Sequence, residues 1–219
     1  MKKRLILDFK SMSISEVSSI KSGLLIGGCY EGKDPGRLIN VINKASKGII
    51  NKLLKRGDHK GITGSSFSIP SLDGINSERL SLIGCGKKDH TKNTQEMIKI
   101  ISNTIHAAKY SGTSNAYIVL PKLKSEDHED KWIAYQIGML AESICYIYEP
   151  KIGKSNTKKI KLKKITVAFV ETKNKISDLK KSLLKGQITG QGMNTAKDLG
   201  NLPGNVCTPS FMAKEAKAA

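Results

Sequence analysis

Apolar positions along this chain alternate between short continuous runs and longer stretches with a helical period. The short runs are Leu5 to Phe9, Gly23 to Tyr30, Ser66 to Pro70, Arg79 to Gly84, Asn115 to Leu120 and Ile165 to Val170. Each has the length of a strand, and Gly23 to Tyr30 reads as a buried one. Between them, Leu38, Ile39, Ile42, Ile49, Ile50, Leu53 and Leu54 recur at near-helical spacing, which predicts one helix opened by Pro35 and closed by Gly57. Further helices are expected over Thr94 to Tyr110 and over Asp130 to Tyr148, the second stopped by Pro150. A long helix is expected from Ile176 to Leu199, with Leu179, Leu183, Ile188 and Met193 on its inward stripe. Asp73-Gly74 marks a turn between the third and fourth strands, and Thr208-Pro209 opens a last helix as an N-cap followed by proline. Strands alternating with helices imply an α/β fold with a mainly parallel or mixed sheet covered on both faces.

With 219 residues, the chain is long for one domain and short for two. The pattern divides it into an α/β domain at residues 1–172, a connector helix at 173–199, and the start of a further element at 200–219. The basic start Met1-Lys2-Lys3-Arg4 is followed by an apolar run broken at Asp8, which does not make a signal peptide. No stretch approaches the length of a membrane span, so a soluble, cytoplasmic protein without membrane contact is expected. Cys29, Cys85, Cys145 and Cys207 stand too far apart for a zinc motif or a disulfide scaffold and read as reduced, buried thiols.

The net charge of +18 is carried almost entirely by lysine. Twelve lysines lie between Lys151 and Gly186, against only Glu171 and Asp178. Among them Lys158, Lys159, Lys161, Lys163 and Lys164 form a candidate nucleic-acid patch. It lacks the arginines that read bases and the aromatics that stack on single strands, so a solvated lysine face is the leading reading of it.

Residues with catalytic potential are scattered. His59, His90, His106 and His128 show no metal-ligand spacing. The acidic run from Glu126 to Asp130 precedes a helix, where negative charge complements the helix dipole. Gly84, Gly86 and Lys87 form a strand-ending turn whose amides and lysine are weak phosphate-binding candidates, although the third glycine of a dinucleotide fingerprint is missing. Lys197 and Asp198 are helix neighbours pointing about 100° apart, poorly placed to share an ion. The residues themselves nominate no catalytic group and no metal ligand.

Two stretches carry a family resemblance. The first runs from Leu53-Leu54-Lys55-Arg56-Gly57 through Lys60-Gly61 to Glu78-Arg79-Leu80-Ser81-Leu82-Ile83-Gly84-Cys85-Gly86-Lys87. The second is Ala196-Lys197-Asp198-Leu199-Gly200-Asn201-Leu202-Pro203-Gly204-Asn205-Val206-Cys207-Thr208-Pro209. Together they resemble the cytosolic leucyl aminopeptidases, the M17 family, with Gly204 standing where the family usually has a second proline. The resemblance implies a three-layer α/β/α, macro-domain-like N-terminal domain joined by a long connector helix to a catalytic domain. It also implies that the full-length protein releases N-terminal amino acids from peptides and assembles as a homohexamer through its catalytic domains. Two divalent metals (Zn, Mn or Mg) would polarise the scissile carbonyl and generate the attacking hydroxide. The family's metal-binding "NTDAEGR" segment would lie beyond Ala219, so this segment is expected to be inactive alone, with its own catalytic domain as its natural partner. Two other functions remain compatible with the residues: a phosphate- or nucleotide-binding module at the glycine turn, and weak, non-specific DNA binding through the lysines.

Overall fold

The structure, a computed structural model, describes residues 5–148 and 160–218. Six strands form one sheet: β1 (Ile6–Phe9), β2 (Leu24–Glu31), β3 (Ser66–Ile69), β4 (Leu80–Lys87), β5 (Asn115–Leu120) and β6 (Lys164–Phe169). Their order is β1-β6-β5-β2-β4-β3. All pairings are parallel except that of the edge strand β3 with β4. Among the described residues six helices accompany them: α1 (Arg37–Ala45), α2 (Ile49–Arg56), α3 (Thr94–Tyr110), α4 (Asp130–Cys145), α5 (Ile176–Gly200) and α6 (Pro209–Ala218). A 3₁₀ turn over Ile14–Ser19 lies between β1 and β2.

The sheet has a core on each face, as expected for α/β layers. One face packs Ile26, Ile83, Ile118 and Val167 against Met97, Ile101 and Ile105 of α3, Ile133 and Ile137 of α4, and Leu179 and Leu183 of α5. The other packs Leu25, Leu80, Leu82 and Val119 against Leu38, Ile39 and Ile42 of α1, Ile50 of α2 and Val17 of the 3₁₀ turn. Neighbouring strand residues point to opposite faces, which is why β2, with apolar or small residues at nearly every position, can serve both cores.

Three expectations are corrected. The single helix from Pro35 to Gly57 is two. Gly48 N–H bonds to Asn43 C=O at 2.8 Å and Lys47 N–H to Lys44 C=O at 3.2 Å, and Lys47 takes φ +51°. That pattern is a Schellman terminus, here with lysine at the left-handed position. Gly57, at φ +89°, does close α2. The segment after Cys145 leaves the helix because Tyr146 is extended; its hydroxyl reaches Asp198 at 2.8 Å, and that of Tyr148 donates to Asn201 C=O at 3.0 Å. Pro150, expected to stop α4, lies outside the described residues.

The third correction concerns α5. Leu179 and Leu183 are buried, but Ile188 is 69% and Met193 42% exposed. The inward positions beyond Leu183 are Gly186, Gln187 and Gly190, because five-residue spacing turns a side chain about 140° off the stripe. The glycines let α4 and α5 approach closely: a Cβ at Gly186 would overlap the Tyr135 carbonyl, and one at Gly138 the Leu183 carbonyl.

Candidate functional site

In a sheet of this order, the crevice where connections depart to opposite faces lies at the carboxyl ends of the central strands. Here that place is formed by the ends of β2 and β4 and the loops that follow, and it holds the glycine turn singled out in the sequence. Gly84 N–H donates to Ser65 C=O at 2.8 Å, Gly64 N–H donates to Gly84 C=O at 2.8 Å, and Gly86 N–H donates to Gly61 C=O at 2.8 Å. A side chain at Gly84 would collide with the Ile62 carbonyl, and Gly86 has φ +69°. Both glycines are thus explained by the loop from Gly61 to Ser65 clamped against β4. Their amides are spent on protein carbonyls and do not point at an empty anion cradle.

Lys87 is exposed at the mouth of a cleft of about 650 Å³ that it lines with Glu31, Asp34, Lys88, Asp89 and His90. Charges of both signs meet there. Lys88 Nζ pairs with Asp34 at 2.9 Å, and Lys124 Nζ with Asp89 at 3.2 Å. The Lys88 hydrogen bond, aided by the Gly36 amide, holds Asp34 below the usual carboxylate range. An anion entering this cleft would meet three carboxylates as well as the lysines, so the field does not select for phosphate.

Beneath the cleft, Lys92 is 1% exposed. Its ammonium donates to the carbonyls of Lys87 and His90, both at 3.1 Å, fastening the turn after β4 to the start of α3. Loss of solvent lowers its pKa. Tyr30 fills the neighbouring space, its hydroxyl donating to Lys122 C=O at 2.6 Å. Burial pushes the thiols of Cys29 and Cys85 up to about 12, which makes them inert rather than nucleophilic. Cys145 is likewise raised by burial, to about 11.

The remaining candidates are dispersed over the fold. His59 is buried and stacked on Phe67, its Nε2 without a partner. His90 bonds Glu96 at 3.1 Å, and His106 stacks on Tyr110. His128 meets Thr94 Oγ1 at 2.7 Å and stacks on Trp132. Asp130 stands in the first turn of α4 and accepts from Thr172 Oγ1 at 2.6 Å. Lys197 donates to Ser143 Oγ at 2.8 Å, while Asp198 accepts from Tyr146. Among the described residues no group of three or more His, Cys, Asp or Glu side chains could hold a metal ion. The described residues therefore do not fit the divalent metals implied by the resemblance.

Of the lysine patch, Lys158 and Lys159 lie outside the described residues. Lys161 and Lys163 are exposed and Lys164 is half-buried, alternating with Leu162, which is buried in the core. The alternation is that of an extended segment with one wet face. Lys163 N–H also bonds Ser114 C=O at 2.7 Å, setting the segment beside β5.

The sequence pattern missed Lys92 and the polar side of the α4–α5 contact. There Gln187 Nε2 donates to Leu5 C=O and to Glu142 Oε1, both at 2.7 Å, and Gln191 donates to the same carboxylate at 3.1 Å. No periodicity search finds a buried glutamine; only its position between Gly186 and Gly190 hints that the face is inward.

The site is thus a braced junction without assembled catalytic groups, and relatives must decide the family. Residues 27–149 match the family model of the cytosol aminopeptidase family, N-terminal domain. The chain belongs to that family. A probable cytosol aminopeptidase of Nitrosococcus oceani is 32% identical over 197 residues, 90% of this chain and 39% of the relative. One from Baumannia cicadellinicola is 29% identical over 210 residues, covering 96% of this chain and 41% of the relative. A mutant tomato leucine aminopeptidase superposes with a TM-score of 0.73 at 19% identity, over 98% of this chain and 42% of that one. The bottromycin maturation enzyme BotP in complex with Mn gives 0.62 at 15% identity, over 90% of this chain and 35% of that one. At those identities the solved structures establish the fold. The chain spans about two fifths of the curated relatives it matches. It is an N-terminal domain of this aminopeptidase family. Among its described residues no helix is long and apolar enough to cross a membrane.

Proposed function

We propose that this chain is the non-catalytic N-terminal region of a cytoplasmic metallo-aminopeptidase that, at full length, releases N-terminal amino acids from peptides. One observation carries this: the chain matches the family's N-terminal domain while spanning 39% of an aminopeptidase relative. In this assignment residues 1–172 are the domain, 173–199 the connector and 200–219 the opening of the catalytic region. The two divalent metals, the peptide site and the homohexamer contacts belong to that region. The N-terminal domain would serve to hold and orient it. The metal complex of BotP is in keeping with divalent-metal chemistry among structural neighbours.

The test is hydrolysis of a leucine chromogenic amide by the purified 219-residue chain with added Mn or Zn, alongside light scattering. No metal-dependent turnover and no hexamer are expected. Turnover that co-purifies with the chain and is abolished by a chelator would overturn the assignment.

A further inference from the structure

Helix α5 departs from ordinary inside-outside patterning at two points. Gln187 is 8% exposed, whereas its neighbour Ile188 is 69% exposed. Leaving a large apolar side chain in water beside a buried amide forgoes burial energy that the reverse order would gain. Such a local inconsistency marks a place shaped by something other than this domain's own stability. The second departure is Gly192. Gly138, Gly186 and Gly190 each meet neighbouring backbone where a Cβ would stand, but nothing lies within 4 Å of that position at Gly192. A glycine inside an exposed helix weakens it unless a close approach requires the missing side chain.

The two departures lie on one ridge. Leu184, Ile188, Gly192, Ala196 and Gly200 follow at four-residue steps along α5, and all are exposed. This is an i, i+4 row, the ridge used when helices pack against one another. It carries no charge in a chain in which 26% of residues are charged. A large apolar pair followed by a glycine notch has the form of a seat for a closely approaching helix.

Two occupants can be weighed. A second copy would bring another net charge of +18, with Lys181 and Lys185 beside the row on both copies. Like charges opposed across an apolar contact disfavour that pairing. The relatives instead extend well beyond the matched region, since the chain covers only 39% of the Nitrosococcus oceani protein. We propose that the Leu184–Ile188–Gly192–Ala196 row is the seat of an apolar helix from the catalytic region of a cytosol aminopeptidase. The proposal rests on the aminopeptidase function inferred above.

The test is site-resolved maleimide labelling of Ile188→Cys, read by peptide mass spectrometry. It compares the 219-residue chain with a chimera joining it to the remainder of the Nitrosococcus oceani protein. Lys173→Cys, at an exposed loop position, serves as the control. Labelling of Ile188→Cys should be fast in the short chain and roughly tenfold or more slower in the chimera, because a covered thiol reacts only through local opening. The control should label alike in both. Equal rates at Ile188→Cys would overturn the proposal. So would slow labelling of the short chain that quickens on dilution, which would assign the row to a second copy. If the chimera does not fold, the intact Nitrosococcus oceani protein takes its place, labelled at the position aligned with Ile188: slow labelling there supports the seat and fast labelling overturns it. Hydrolysis of a leucine amide by the chimera reports separately on whether this domain supports a catalytic region, the role proposed above: an active chimera with fast labelling defeats the docking surface alone. An inactive chimera with slow labelling leaves the surface standing and counts against that supporting role.

Discussion

Replacing Gly186 by alanine should destabilise the domain, although alanine is the better helix former. A Cβ at this position would lie 2.8 Å from the Tyr135 carbonyl carbon and 3.0 Å from its Cα, and it would overlap the carbonyl oxygen. The carbonyl oxygen is the closest of these atoms, and bringing it out to ordinary contact means that α4 and α5 would have to part locally by roughly 1 Å. The obstacle is backbone and cannot rotate away. A gap of that size forfeits about a quarter to a half of each dispersion contact across it. Ile133 and Ile137 of α4 and Leu179 and Leu183 of α5 share that core. Each such side chain contributes roughly 1.5–3 kcal/mol on burial, so a quarter lost from all four is about 1.5–3 kcal/mol. Gains in helix propensity return up to ~1 kcal/mol. The net loss is about 0.5–3 kcal/mol, or a Tm lower by roughly 1–12 °C for a chain of this size. Gly192→Ala adds the same methyl to the same helix with no neighbour within 4 Å. It should stabilise by up to ~1 kcal/mol. Urea and thermal unfolding of both variants, followed by circular dichroism, measure the two signs. A Gly186→Ala protein as stable as the parent would refute the close-contact reasoning.

The other predictions are smaller. Burial lowers the pKa of His59 from 6.5 and its Nε2 has no partner, so the folded state favours the neutral ring. The unfolded chain then binds the extra proton, and stability should fall as pH drops below about 6.5; urea midpoints at pH 7.5 and 5.5 should differ less in His59→Leu than in the parent. Lys47→Gly relieves a left-handed lysine and should raise stability by about 0.5–1 kcal/mol, since glycine takes that conformation freely; an unchanged or lower urea midpoint would contradict this. Binding to two unrelated DNA duplexes should be weak, indifferent to sequence and lost steeply with salt, the log–log slope being about −0.9 per phosphate contacted; tight binding of one duplex at physiological salt would show a real nucleic-acid site.

Much of the fold was legible because its signals are local. The runs around Ile26, Ile83 and Val119 are too short and too apolar for anything but buried strands, and Thr94 to Tyr110 has both a capping box and a regular stripe. What escaped was decided by contacts distant in sequence. Gly48 was a local stop signal within a continuous helical stripe, and it is outweighed there by the apolar period on both sides; the close approach of Ala45 to Gly74, in the loop before β4, is not written near it. Ile188 looks like a core residue until α4 is placed against Gly186 and Gly190. For the candidate site, the glycines at 84 and 86 were visible as a turn, but their purpose was not. A glycine needed to admit ligand and one needed to admit a neighbouring loop look identical in sequence, and only the positions of Gly61 and Ile62 separate them. Lys92 was hidden for the same reason, since a buried lysine is written with the same letter as a solvated one.

The strand order has a consequence for the birth of the molecule. β1 lies at one edge of the sheet, and its strand partner is β6, with Ile6 beside Lys164. The Leu5 carbonyl is further tied down by Gln187. On a ribosome adding about 5–20 residues per second, the first strand therefore waits roughly 10–30 s for its partner to be made. During that time the side chains of Leu7 and Phe9, later buried, have no place to go, and β5, once made, presents an unpaired edge until β6 docks on it. β1 is thus made before the rest of the sheet and takes its place in it only when β6 arrives, so a chaperone that binds nascent apolar segments would find Leu7 and Phe9 uncovered for that interval.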